Sequence, residues 1–298
     1  MIEKLLQHYK NSICIDETPD NAQDYEWYVT DNGKKIGIEK KVLSIKEHEL
    51  LSLFLKPYHA KIHYVSEEQK LWYDLLYHHG TATSFHNNTC RFIHFQTDEA
   101  NYDKDDFKEA VNGIFPTDVI ILWENDTNGT LIELSDNSQF ESLQFEGVID
   151  TFISDFYMTI HLFIGQVQAL DETIRNAFKW EQQCFKKARH YLEKQKVYTV
   201  QDVYPFLFLE QVPSQARNKL SASILQSLYQ DRELLKTIKT FIECNLNVSL
   251  AAKKLYMHRN SLQYRIDKFI EKTGIDIKHF SGATATYLSI LSHEYFLD

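Results

Sequence analysis

Residues 247–269 read NVSLAAKKLYMHRNSLQYRIDKF, and their spacing predicts two short helices crossing at a tight turn. Ser249 is placed to N-cap the first helix, Ala251 and Ala252 are small enough for a neighbouring helix to approach closely, and Leu250 and Leu255 supply apolar cover. In the second helix Leu262, Ile266 and Phe269 fall at i, i+4 and i+7, one face for a core. Asn260, Gln263, Tyr264 and Lys268 then point away, with Arg259 at the helix start. Such side chains suit a duplex: amides that can bond an adenine edge, a phenol and a cation for phosphate oxygens, and a guanidinium that can meet guanine bidentately. An exposed helix with this face, led by its N-terminus and braced by a preceding helix, has the form of a helix-turn-helix recognition helix.

The charge around that segment sharpens the expectation. The 298 residues carry 32 Lys/Arg against 42 Asp/Glu, net −10, a total that argues against nucleic acid if it is spread evenly. It is not spread evenly. Residues 232–298 hold ten Lys/Arg and seven Asp/Glu, net +3, and residues 249–272 hold six against two, net +4, leaving −13 on residues 1–231. An acidic body repels DNA except where the basic helices dock, which orients the protein on its target. Asp267 and Glu271 lie near the basic face and are expected to sit beyond the groove.

The remaining composition narrows the function classes. With only 9 Gly and 5 Pro the chain is mostly regular structure, and it has no Gly-x-Gly-x-x-Gly, no P-loop string and no Gly-x-Ser-x-Gly elbow. No catalytic residue and no cofactor is expected. Cys14, Cys90, Cys184 and Cys244 are scattered without a Cys-x-x-Cys pair, which reads as buried thiols rather than a disulfide frame or zinc knuckle. His59 and His63, the adjacent His78 and His79, and the broken His48-Glu49 motif in which Ser52 replaces the second histidine supply no complete metal set, so no metal is expected. The start, MIEKLLQHYKNS, lacks the features of a signal peptide, and no stretch approaches a membrane span. A cytoplasmic protein with no membrane partner is expected.

Upstream, Tyr25, Trp27 and Tyr28 belong to a β-prone run that faces a second one across Asp31-Asn32-Gly33, a hairpin signal, and read as sheet core. Ser44 with Glu47, and Ser66 with Gln69, form two capping boxes. The first opens a helix with a Leu50, Leu51, Phe54 and Leu55 stripe ending at Pro57; the second opens one with a Leu71, Trp72, Leu75 and Leu76 stripe closed by Gly80. From Cys90 the runs CRFIHFQT, YDKDDFKEAVNGIF, DVIILWEN, TLIELS, FESLQFEGVIDTFISDF and TIHLFIGQVQ read as β-α-β-β-α-β, the split β-α-β arrangement, followed by a helix and a short extended VYTV. Asp103, Asp105 and Asp106 favour a helix N-terminus. Pro205 and Pro213 bracket a connection, and residues 215–229, 232–244 and a block to 273 are helical. The expected class is α+β: an N-terminal α+β module at 1–85, a central βαββαβ domain at 88–205 and an all-α helix-turn-helix domain at 214–298.

The C-terminal string is similar to the helix-turn-helix of the nucleoid protein Fis and, more closely, resembles the DNA-binding domain of the PucR/CdaR regulators, whose hallmark is a stretch like His-Arg-Asn-Thr-Leu-x-Tyr-Arg-Leu before Thr-Gly. Here His258-Arg259-Asn260-Ser261-Leu262-Gln263-Tyr264-Arg265-Ile266 precedes Thr273-Gly274, and the likeness spans residues 230–277. Gln263 stands where the family usually has Arg, and Tyr256 occupies the turn that often holds glycine. The resemblance implies DNA contacts from His258, Arg259, Asn260, Ser261, Gln263, Tyr264, Arg265 and Lys268. It also implies a degenerate GGDEF-like central domain, whose hairpin here is WENDTNGTLIE, with Glu124 and Asp126 but no paired glycines. A transcription regulator follows: a homodimer on a palindromic operator, its recognition helices about 34 Å apart, answering an unknown small-molecule or protein effector. The alternative is a degenerate nucleotide-binding or cyclase-like protein whose helical domain mediates protein interaction.

Overall fold

The computed structural model describes residues 2–16, 25–30, 34–57, 66–77, 89–98, 102–115, 119–136, 140 and 144–296. They form an α+β protein of two compact units, one comprising Met1–Gln144, Asp150–Ile160 and Val167–Arg175, the other Phe145–Ile149, His161–Gln166 and Asn176–Asp298.

The first unit opens with α1 (Ile2–Tyr9) and β1 (Ile13–Ile15), continues through β2 (Tyr25–Val29), β3 (Lys35–Glu39), α2 (Ile45–Phe54) and β4 (Lys56–Pro57), and reaches α3 (Glu67–Tyr77). Its four strands are ordered β1-β3-β2-β4. The hairpin stands as expected, pairing Tyr25 with Glu39 and Val29 with Lys35. The Thr30 N–H donates to the Lys34 carbonyl at 3.0 Å and closes the loop; its tip, residues 31–33, lies outside the described residues, as do Gly80, His59, His63, His78 and His79. Tyr28 is fully buried with Ile36, Ile38, Leu51 and Leu55.

Both capping boxes are present. The Ser44 N–H donates to Glu47 at 2.9 Å and Glu47 N–H to Ser44 Oγ at 3.3 Å; Ser66 and Gln69 exchange bonds of 3.1 and 3.2 Å. The apolar stripes are narrower than expected. Leu51 and Leu55 are buried while Leu50 and Phe54 are exposed, and α2 stops at Phe54, its following residues Lys56–Pro57 pairing with β2. In α3, Trp72, Leu75 and Leu76 are buried but Leu71 is exposed. A single supporting sheet covers only one narrow arc of a helix, so the flanking apolar positions stay outside.

The second sheet contains β5 (Thr89–Thr97), β6 (Ile120–Trp123), β7 (Asn128–Ser135), β8 (Ile160–Ala169) and β9 (Val197–Thr199), with α4 (Lys104–Ile114), α5 (Phe145–Phe156) and α6 (Ile174–Tyr191) between them. Its order is β6-β7-β5-β8-β9. The first four strands therefore carry the split β-α-β order, and β9 adds a parallel edge through Leu162 opposite Val197. Asp103 caps α4, accepting from the Asp105 N–H at 2.7 Å. α5 begins at Phe145, not Phe140. In the β6–β7 hairpin Asn125 Oδ1 accepts from the Thr127 and Asn128 N–H groups at 2.9 and 2.8 Å. Trp123 beside it packs edge-on against Phe95 at 4.9 Å, with Lys104 Nζ 4.8 Å from its ring.

The helical part of the second unit runs α7 (Val200–Gln211), α8 (Ser214–Leu225), α9 (Arg232–Glu243), α10 (Val248–Lys254), α11 (Arg259–Thr273) and α12 (Phe280–Tyr295). The expected connection between Pro205 and Pro213 is instead helix α7, with Pro205 inside it. Its start is fixed by Thr199 and Asp202, whose carboxylate accepts from the Thr199 N–H at 2.8 Å and hydroxyl at 2.7 Å. Val203, Phe206 and Leu209 are buried along one side. Burying three such side chains yields about 1.5–3 kcal/mol each, more than the roughly 3 kcal/mol that an interior proline costs. The helix expected at 215–229 ends as α8 at Leu225. The sequence did not indicate α1, β1 or α12. α12 is rich in Ser, Thr, Gly and Ala and has a weak apolar period, yet Ile290 and Leu291 are fully buried.

Candidate nucleic-acid interface

The helix-turn-helix is assembled on one core in which Leu234, Leu235, Ile238 and Phe241 of α9 meet Ala251 and Ala252 of α10 and Leu262, Ile266 and Phe269 of α11. The three α11 residues are all 0% exposed, as their spacing predicts. α10 is capped by Asn247, whose Oδ1 accepts from the Leu250 N–H at 3.0 Å. The expectation that Ser249 caps it is corrected: the chain turns into the helix two residues earlier, where the Asn247 side chain reaches the third N–H of the helix. Leu250 is exposed and gives no cover, whereas Leu255 packs against the core.

The turn between α10 and α11 places Tyr256 in the left-handed region, φ 53°, with its side chain 98% exposed. This is the position that would favour glycine, and a fully exposed phenol holds it. His258 then N-caps α11, its Nδ1 accepting from the Asn260 N–H at 3.3 Å. At the far end Gly274, φ 71°, closes the helix with its N–H on the Ile270 carbonyl at 2.7 Å, so the Thr273-Gly274 pair is a left-handed C-cap.

The expected site residues divide into those left open and those already engaged. His258, Arg259, Asn260, Ser261 and Tyr264 are exposed along the N-terminal half of α11. Among the described residues neither Arg259 nor Tyr264 nor Lys268 has a side-chain ion pair or hydrogen bond, so their polar ends are available to a ligand. Gln263 and Arg265 are engaged. Gln263 Nε2 donates to Asp267 Oδ1 at 3.0 Å, and Lys278 Nζ meets the same oxygen at 2.9 Å. Arg265 Nη2 pairs with Glu233 of α9 at 2.6 Å and its Nη1 donates to Thr237 Oγ1 at 3.0 Å. An open cleft of about 570 Å³ runs beside these groups, lined by Asp231, Glu233 and Leu234 on one wall and Asn260, Tyr264 and Lys268 on the other.

The electrostatics follow from those pairs. The hydrogen bond from Lys278, with a further one from Gln263, holds the Asp267 carboxyl below the usual carboxylate range. Asp231 lies 3.8 Å from Lys272. Asp231, Glu233 and Asp267 are thus matched to Lys272, Arg265 and Lys278, and among the described residues Arg259 and Lys268 of α11 have no acidic partner. Lys253 and Lys254, exposed at the end of α10, extend the positive surface and were not among the residues expected to act. Their signal was the charge density of residues 249–272 rather than any helical period. Such a face can bond phosphate oxygens and base edges. Among the described residues no group of three His, Cys, Asp or Glu could hold a metal ion, and no helix is long and apolar enough to cross a membrane.

Comparison with known proteins gives the following. Residues 234–291 match the family model for the PucR C-terminal helix-turn-helix domain. The chain is 34% identical over 295 residues to the YxkF protein of Bacillus subtilis (strain 168), covering 98% of this chain and 99% of that one. It is 37% identical over 87 residues to the purine catabolism regulatory protein of the same organism, 28% of this chain and 16% of the relative. Among solved structures, a regulator of polyketide synthase expression from Bifidobacterium adolescentis matches with a TM-score of 0.32 at 18% identity, over 70% of this chain and 81% of that one.

Proposed function

Because this chain belongs to the PucR/CdaR-type regulators, which are DNA-binding transcriptional regulators, we propose that it acts as a homodimer that sets two copies of α11 into successive major grooves of a palindromic operator. The observation that carries this is the division of α11: Leu262, Ile266 and Phe269 are wholly buried while Arg259, Asn260 and Tyr264 stand exposed. Arg259 and Asn260 lead into the groove, the former suited to guanine and the latter to adenine; His258, Ser261, Tyr264 and Lys268 meet backbone oxygens. Arg265 reaches phosphate only by leaving Glu233, so its resting role is to brace α11 against α9.

The first 200 residues receive the signal. Residues 1–85 form its sensor module and residues 88–205 a degenerate GGDEF-like domain that relays a small-molecule or protein effector to the recognition helices. The β6–β7 hairpin lacks paired glycines, and Lys104 Nζ lies 4.8 Å from the Trp123 ring beside it, which supports a relay over nucleotide chemistry there. The test is fluorescence-anisotropy binding to duplexes from the protein's own gene neighbourhood at two salt concentrations. Affinity is expected to fall by about a thousandfold or more between 50 and 200 mM salt if six or more phosphates are contacted. Absent or salt-indifferent binding sinks the proposal.

A further inference from the structure

Gln263, Asp267 and Lys278 form a short chain on the side of α11 away from Arg265. Gln263 Nε2 donates to Asp267 Oδ1 at 3.0 Å, an i,i+4 pair along the helix, and Lys278 Nζ meets the same oxygen at 2.9 Å from the segment leading into α12. An ionised carboxylate only accepts, so the end of the amide turned toward Asp267 is the nitrogen. Lys278 keeps Asp267 ionised and also cancels its charge, which would otherwise repel phosphate.

The consequence lies in what remains of the amide. One N–H is taken by Asp267; the carbonyl Oε1 and the second N–H are left. An acceptor beside a donor is the pattern that pairs with adenine N6 and N7 in the major groove, and guanine, which offers two acceptors there, cannot match it. An unbraced glutamine on an exposed helix has several rotamers and must lose that freedom on binding. We propose that Gln263 reads an adenine, and that Asp267 and Lys278 are positioning residues that hold its amide in the reading orientation before DNA arrives. The proposal rests on the DNA-binding role of α11 and deepens it. It also gives Asp267 a task that needs no contact with the duplex.

The test is selection from a random-sequence duplex library by the full-length wild type and by Gln263→Ala, Asp267→Ala, Asp267→Asn and Lys278→Met, followed by affinities on the selected duplex and its single-base variants. Each variant's melting temperature is measured alongside. Beside the adenine suited to Asn260, the wild type is expected to select a further adenine per half-site and to lose about tenfold or more when that one is replaced. Gln263→Ala loses that discrimination and keeps the others. Asp267→Ala and Lys278→Met reduce the same discrimination by about three- to tenfold, with other positions and the melting temperature unchanged. Asp267→Asn, which retains an acceptor oxygen, keeps more of it than Asp267→Ala. Because the readout is a ratio between two duplexes, the altered net charge cancels. Unchanged base preference in Gln263→Ala overturns the reading of adenine, and unchanged preference in Asp267→Ala overturns the bracing. A wild type that selects no sequence overturns instead the DNA-binding role on which both rest.

Discussion

Arg259 and Arg265 lie on the same helix and carry the same charge, yet they are placed for different work. Arg259 stands exposed in the first turn of α11, while Arg265 is tied to Glu233 and Thr237. Arg259→Ala is expected to cost about 1–3 kcal/mol at one base position and to leave the fold intact, as read by single-base duplex variants together with circular dichroism. Arg265→Ala is expected to show first in stability, by about 1–2 kcal/mol in urea unfolding. Glu233 is 76% exposed, so its ion pair counts for under about 1 kcal/mol, and the bond to Thr237 supplies the rest. The face that carries Arg259 was legible in the sequence because it follows from the position of three apolar residues on the same helix. The engagement of Arg265 was not, since Glu233 lies 32 residues away and nothing local marks it.

Elements whose ends are fixed by neighbours in sequence were the ones that could be read. The boxes at Ser44 and Ser66, the Asp103 cap and the Thr273-Gly274 stop all close within four residues. The cap of α10, read as Ser249, was not legible, because only the backbone path decides which side chain reaches a free N–H, and Asn247 does. Asn247→Ala is accordingly expected to cost about 1 kcal/mol, and Ser249→Ala much less, in thermal unfolding. Helix α7 was hidden for a different reason. Its apolar residues repay the proline by meeting α6, α12 and, through Val203, Phe163 of β8 and Tyr198 of β9, and that meeting is a property of the fold, not of the segment. Leu262→Ala, at the centre of the α9–α11 core, is expected to destabilise by about 2–5 kcal/mol, a loss visible as a lower denaturant midpoint.

At the scale of the chain, the helix that replaced an expected connection changes what can be separated. Phe206 and Leu209 of α7 share a cluster with Tyr191 of α6 and Leu291 of α12, and Tyr191 stacks on Phe206 at 4.6 Å. Arg217 of α8 donates to the Leu209 and Val212 carbonyls at 2.8 and 2.9 Å and lies over the Phe296 ring. A chain ending at Val212 therefore exposes Tyr191, Phe206 and Leu209 together. It is expected to lose α7 protection in hydrogen exchange and to aggregate at micromolar concentration, whereas a well-separated domain would lose neither solubility nor protection. For anyone wishing to transplant the DNA-reading helices onto a different sensor, the practical seam is then not the proline at 213. A portable cassette has to carry α6 and the β8 and β9 residues it packs on, Phe163 and Tyr198, together with α7 to α12, as its own mounting.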